Sequence, residues 1–436
     1  MVALNSSNGQ VAIVGGCRSP FSRMGTDLAQ VHLTDLAKRV FQETLYRCNC
    51  RFEDLDEVIL GNVVMPADAA NPARVAALWA QIPQRIPGLT VQRNCASGME
   101  SIAEASMRIG AGQKMVLAGG AESMSNVPLL FPHETMEPMS RLAKARTTTA
   151  RVAAVARLRP RHFKPVAALE LGLTDATCGM IMGKTAEVLA HSFSISRDVQ
   201  DQFALDSHRK AADAAKAGIL AQEIVPCYAG EKFAPVTADN GPRPQQTLEA
   251  LGKLRPLFDK RDGTVTAGNS CQITDGAAAV LVADAHAVAA LGVEPLGYIR
   301  GYAYAGLDPS RMGLGPVFAI DALLRRTGVS LEQIDLFEIN EAFAAQVLAC
   351  CRAAESASFA REHLDRDRPL GQIDPGKLNV NGGAIALGHP VGATGARLVL
   401  TLLLEMRRRN ARLGIASLCV GGGQGAAILL ERRTVN

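Results

Sequence analysis

Aromatic side chains are scarce in this chain: one tryptophan, five tyrosines and thirteen phenylalanines make up 4% of its 436 residues. With 40 glycines and many alanines, the interior must be close-packed backbone, as in helices laid tightly on sheets. Ten cysteines, at 17, 48, 50, 95, 178, 227, 271, 350, 351 and 419, include no CxxC pair, so neither a structural zinc site nor a disulfide framework is expected. A net charge of +4 is too small to suggest a nucleic-acid partner. Met1 to Gln10 shows neither a basic region with an apolar core nor an Arg-rich amphipathic pattern, so no export or organelle signal is expected and the cytoplasm is the default. The longest apolar run, Gly414 to Leu430, is glycine-rich and carries Gln424, which suits buried strands better than a ~20-residue membrane span.

What is present is a compact, enzyme-like composition, 48% hydrophobic and 20% charged. Val11 to Val14 reads as a buried strand ended by Gly15-Gly16, Leu33 to Tyr46 as an amphipathic helix, and Phe52 to Asn62 as a connector and strand. Ala73 to Ala80 and Ser97 to Ile109 read as helices flanking a strand at Leu89 to Val91, and Met115 to Ser123 as a strand entering a glycine turn. The same plan recurs later. Ala319 to Thr327 is helical, Ser330 to Asn340 repeats the pattern of Phe52 to Asn62, and Leu378 to Asn381 parallels Val91 to Asn94. The helix Ala393 to Arg409 and the strand Gly414 to Cys419 complete the copy. A duplicated α/β half follows. Residues from Ser125 to about Pro256, including a helix over Arg197 to Ala217, read as an excursion from the first copy.

Cys95 lies at a strand-to-helix turn, in Asn94-Cys95-Ala96-Ser97-Gly98, where free N–H groups and the helix dipole are expected to lower a thiol pKa of about 8.5. Taken singly, a cysteine is more often structural. His389 occupies the matching turn of the second copy, in Gly388-His389-Pro390, so the internal symmetry could join imidazole and thiol. Cys419 ends a strand before Gly421-Gly422-Gly423, whose N–H groups suit an oxyanion; too little chain follows for a dinucleotide-binding unit. Asn340 ends the copied strand, where it can hold a water or a carbonyl, or simply cap a turn.

In combination and in this order, Asn94 to Gly98, Asn340-Glu341-Ala342-Phe343, Asn379 to Gly395 and Cys419 to Gly423 resemble the thiolase family over essentially the full length. The resemblance implies an α/β thiolase fold: duplicated halves forming a five-layer αβαβα architecture, with a loop domain inserted at about 125–256 of a first half, 1–290, and a second half over 291–436. It implies thiolytic cleavage of a 3-ketoacyl-CoA through an acyl-cysteine, with Cys95 as nucleophile, His389 as base, Cys419 as the second acid–base, and oxyanion sites at His389 with Asn340 and at the N–H groups of Cys95 and Gly421. Met182, Arg243, Cys271 and Phe343 would meet CoA or the acyl group. Coenzyme A is then a substrate, and no metal or other cofactor is expected. Ile181 and Cys271 depart from residues common in relatives and bear on the acyl pocket.

Arg141 to Lys164 carries eight Arg and Lys residues and no Asp or Glu, which suits a solvated face, a β-oxidation partner subunit or a membrane surface. A degradative thiolase is the favoured expectation, with acetoacetyl-CoA synthesis as the alternative and a non-catalytic scaffold of the same fold behind it. A homodimer or tetramer is expected.

Overall fold

The computed structural model describes residues 10–433. In the first half, β1 (Ala12–Arg18), α1 (Leu33–Arg47), β2 (Glu57–Gly61), α2 (Pro72–Trp79), β3 (Gly88–Val91), α3 (Ser97–Gly110) and β4 (Met115–Ser123) follow one another. The chain then leaves the sheet through a long excursion that includes α4 (Met182–Ser192) and α5 (Arg197–Lys216), and returns as β5 (Thr274–Ala283). The second half comprises β6 (Gly297–Gly306), α6 (Gly315–Thr327), β7 (Leu336–Ile339), α7 (Ala344–Glu355), α8 (Val391–Arg409), β8 (Leu413–Val420) and β9 (Gln424–Glu431).

Strand order in the first half is β3-β2-β4-β5-β1, and in the second β7-β8-β9-β6. A parallel bridge from Phe337 to Leu378 stands where β3 stands in the first half, so the two orders coincide. β1 and β6 join the halves by a short antiparallel pairing, Ala12 with Tyr298 and Ile13 with Gly297.

Alternate strand residues face different layers, the period of two that a sheet buried on both sides requires. Val58 and Leu60 meet α1 and α2 on one outer face, whereas Ile59, Val116 and Val280 meet α3 and α8 in the middle. Ala416, Leu418 and Ile428 close the middle layer from the other sheet; Ile415 and Leu429 face α6 and α7 outside. The result is five layers, with α3 and α8 between the sheets. These two helices cross at small residues. A Cβ on Gly98 would lie 2.7 Å from the Gly392 carbonyl, and one on Gly395 would overlap Met99 backbone.

Two expectations change. β1 runs through Gly15-Gly16 to Arg18, because both glycines pair with Leu281 and Val280 of β5, and Gly16 gives room to the β5 backbone and Leu400. Leu378 to Asn381, set beside Val91 to Asn94 in sequence, makes one bridge to Phe337 and then a turn, so the second copy has no counterpart of the full length of β3. The excursion is tied to β1 by a buried cluster: Arg18 donates to Glu223 at 2.7 Å and to Asp239 at 2.6 and 2.8 Å.

Candidate active site

The turn carrying Cys95 is held by its own polar residues. The Arg93 N–H donates to Ser97 Oγ (2.9 Å), and Ser97 Oγ donates to the Asn94 carbonyl (2.7 Å), while Asn94 takes a left-handed φ of 43° that asparagine tolerates. Asn94 Nδ2 reaches across to the Gly421 carbonyl at 2.8 Å and ties this turn to the one after β8. Cys95 keeps part of its surface open, but its sulfur is enclosed by protein. Burial therefore raises the thiol pKa; the N–H groups of Gly421 and of Cys95 itself pull it down, less strongly. The expected lowering is reversed: the resting group is a thiol.

His389 is buried at the head of α8. Its main-chain N–H donates to the Gln272 carbonyl at 3.1 Å. Thr394 Oγ1 donates to the Pro390 carbonyl (2.9 Å), so it accepts from His389 Nδ1–H at 2.6 Å. That fixes the proton on Nδ1 and leaves Nε2 bare. Asn340 Nδ2 stands 3.5 Å from Nε2, too far for a strong bond, and Asn340 Oδ1, fully buried, has no partner. Burial first, and the Arg397 guanidinium second, lower the imidazole pKa to about 3. The ring is a neutral base at physiological pH.

Three sulfurs share the centre. Cys419 at the end of β8 and Cys271 both feel Cys95 electrostatically; burial pushes Cys271 to about 12 and Cys419 well above its ordinary value. Cys419 packs with Phe343, Ala186 and Met182 in one apolar cluster, and Phe343 meets Phe258 edge-on at 6.2 Å. Cys271 joins the Asn340 loop through its N–H to the Ala342 carbonyl, at 2.9 Å. A Cβ on Gly421 would stand 3.7 Å from both Met182 Sδ and Asn94 Nδ2, so Gly421 lies between these two side chains. Arg243 is the outlier. It is exposed, and its N–H donates to buried His208 at 3.3 Å.

Several supporting residues were not foreseen. Glu341, next to Asn340, accepts from Ser207 (2.6 Å), Asn379 (2.9 Å) and the Ile385 N–H (3.3 Å), locking the loop of Asn340 to the loop of His389. Glu122 accepts from Asn62, Val63, Val64 and the Gly392 N–H, and so fixes the start of α8 beneath β4. Glu341 and Thr394 lie inside the motifs quoted above, but nothing in their spacing announces a partner. A surface cavity of about 760 Å³ beside Arg39, Tyr46 and Arg51, on the outer face of α1, holds none of these groups.

A thiol at one helix start, a neutral imidazole at the equivalent start of its symmetric partner, a second buried thiol, and N–H groups aimed at the first are a set of groups suited to acyl transfer through a thioester. Family models for the thiolase N-terminal and C-terminal domains match residues 11–286 and 293–432. The chain belongs to the thiolase family. The 3-ketoacyl-CoA thiolase of Yersinia enterocolitica is 39% identical over 424 residues, 97% of each chain. Among solved structures, the acetyl-CoA acetyltransferase of Bacillus anthracis superposes with a TM-score of 0.85 at 38% identity, covering 98% of this chain and 100% of that one. Human mitochondrial 3-ketoacyl-CoA thiolase in complex with CoA gives 0.84 at 38% identity, covering 98% of both. Thiolases are acyltransferases with CoA as substrate, and the fold described here is the thiolase fold.

Proposed function

We propose that this thiolase cleaves 3-ketoacyl-CoA with CoA, giving acetyl-CoA and a shortened acyl-CoA in fatty-acid β-oxidation. The observation that carries the mechanism is the neutral His389 with Nε2 unprotonated, facing a centre whose Cys95 is a thiol. Both groups are uncharged at rest, so no buried ion pair has to be held before substrate arrives. His389 takes the Cys95 proton as sulfur attacks the 3-keto carbon. The C–C bond then breaks, leaving acyl-Cys95 and the acetyl-CoA enolate, which takes its proton from Cys419. In the second half, the Cys419 thiolate deprotonates incoming CoA, whose sulfur attacks the acyl-enzyme and releases acyl-CoA, while His389 returns its proton to the departing Cys95 thiolate. The N–H groups of Cys95 and Gly421 form one oxyanion site; His389 with a water on the unpartnered Asn340 Oδ1 forms the other. Met182, Phe343 and Cys271 line the approach of pantetheine and acyl group, and Arg243 guards its outer end. No step calls for a further cofactor.

The 3-ketoacyl-CoA thiolase names of the Yersinia and human relatives support the degradative reading. The equally good superposition on an acetyl-CoA acetyltransferase supports a second: condensation of two acetyl-CoA to acetoacetyl-CoA by the same residues. Thiolysis rates for 3-ketoacyl-CoAs of four to sixteen carbons separate them. Appreciable turnover of long chains is expected; activity on acetoacetyl-CoA alone would favour the condensing role, and no activity on any would favour a scaffold.

The two matched domains support division at about residue 290, with the loop domain inserted in the first half. The edge strand β3, with Leu78, Trp79 and Met65 exposed nearby, supports a homodimer or a tetramer. A cytoplasmic location is retained as part of this reading. Among the described residues no helix is long and apolar enough to cross a membrane.

A further inference from the structure

The N–H groups of Cys95 and Gly421 come from different halves of the chain, one from the turn before α3 and the other from the turn after β8. Two donors share one oxygen only when each stands about 2.7–3.1 Å from it, so the distance between the turns matters as much as the shape of either. β3 and β8 do not pair with each other. Side chains must therefore set that distance.

Two rungs cross the gap. Asn94 Nδ2 donates to the Gly421 carbonyl at 2.8 Å, and Arg93 Nη1 donates to Gln424 Oε1 at 3.3 Å, at the residue that opens β9. Between their ends lie Gly422 and Gly423, both at left-handed φ, 84° and 72°. The Leu307 N–H fixes the Gly423 carbonyl to the second half at 2.8 Å; among the described residues, the side-chain hydrogen bonds that reach this turn from the first half are those of Asn94 and Arg93.

Arg93 is itself held on several sides. Its Nε and Nη2 grip buried Glu100 in the first turn of α3 at 2.6 and 3.2 Å, and its main-chain N–H donates to Ser97 Oγ at 2.9 Å. Its guanidinium lies 4.0 Å over the ring of Tyr304 in β6, and Tyr304 pairs with Ala426 of β9. Two nitrogens of the fork are spent on α3, the third is aimed at β9, and the ring keeps the plane from turning. A lysine, with a single point charge on a flexible stem, offers no such brace.

We propose that Arg93 is a positioning residue for the oxyanion site: by bracing α3 against the start of β9 it keeps the Cys95 and Gly421 N–H groups at the separation at which both meet one acyl oxygen. This role rests on the assignment of those two N–H groups to the acyl-Cys95 oxyanion and names what sets their spacing.

The test acetylates the full-length enzyme with carbonyl-labelled acetyl-CoA and reads the thioester carbonyl stretch by isotope-edited infrared spectroscopy, beside steady-state thiolysis. N–H groups donating to that oxygen weaken its C=O bond, so wild type is expected to absorb at lower frequency than free acetyl-CoA. Gln424→Met cuts the rung and leaves Arg93 on Glu100; R93M/E100Q removes the fork without stranding a buried carboxylate. Both are expected to move the stretch back towards the free thioester and to lower kcat roughly 10- to 100-fold with little change in KM. Gln424→Glu keeps an acceptor for Arg93, and should hold the wild-type stretch and most of the rate. A wild-type stretch in Gln424→Met would overturn the proposal whatever the rate, because the N–H groups would be in place without the brace. So would Gln424→Glu behaving as Gln424→Met does; should R93M/E100Q fail to fold, these two variants decide. A wild-type acetyl-enzyme whose stretch matches free acetyl-CoA would remove the oxyanion assignment itself, and this role with it.

Discussion

One hydroxyl decides which nitrogen of His389 is free. Because Thr394 spends its own proton on the Pro390 carbonyl, it can only accept from Nδ1, and Nε2 is left as the base. Thr394→Val should let the ring tautomerise or turn, lowering thiolysis kcat by roughly 10²-fold with little change in KM, the lower range of what a general base contributes; Thr394→Ser should retain most activity. Equal rates for Val and wild type would dismiss this positioning. The sequence shows Cys95 and His389 readily, since each stands at a glycine-marked turn before a helix. The sign of the Cys95 shift was not legible there. A helix start is a local feature, whereas the enclosure that outweighs it is assembled from Gly421, Met182 and Cys419, hundreds of positions or a domain away.

Thr394 and Cys95 act together only because α3 and α8 cross closely. Gly98 and Gly395 remove the side chains that would keep the helices apart, and Gly120 lets the Gly392 carbonyl rest on β4. Gly395→Ala would press its methyl into Met99, and fully buried helices between two sheets have no direction in which to relax. A loss of about 3 kcal/mol or more in urea unfolding is expected; an unchanged midpoint would mean that the crossing is looser than described. The doubled order of helices and strands was readable from hydrophobic period, and element ends fell within a few residues of expectation. Leu378 was the exception. It has a strand-like neighbourhood in sequence, but only one bridge to Phe337 forms before Asn379 turns left-handed to serve Glu341.

For the whole molecule, buried neutral histidines set the acid limit of stability. Burial lowers His208 to about 4, with Arg243 adding to the effect, and His389 to about 3. In the unfolded chain both titrate near 6.5, so that state takes up protons first as pH falls; the stability is fully present above about 6.5 and is lost towards the folded values. At about 1.4 kcal/mol per unit, His208 accounts for up to roughly 3 kcal/mol of that acid loss. Urea titrations from pH 7.5 to 4.5 should show falling stability, with a shallower slope in His208→Gln; parallel slopes would contradict the assignment. The two halves meet where the starts of α3 and α8 cross, and on the chemistry of Cys95 and His389 at those starts the functional reading rests. Its most direct test is intact-protein mass spectrometry after brief incubation with acetyl-CoA or a 3-ketoacyl-CoA, comparing wild type with Cys95→Ala. The mechanism predicts a mass gain equal to the acyl group in wild type and none in the variant. An adduct that persists in Cys95→Ala, or no adduct in wild type while acyl-CoA still binds, would contradict it.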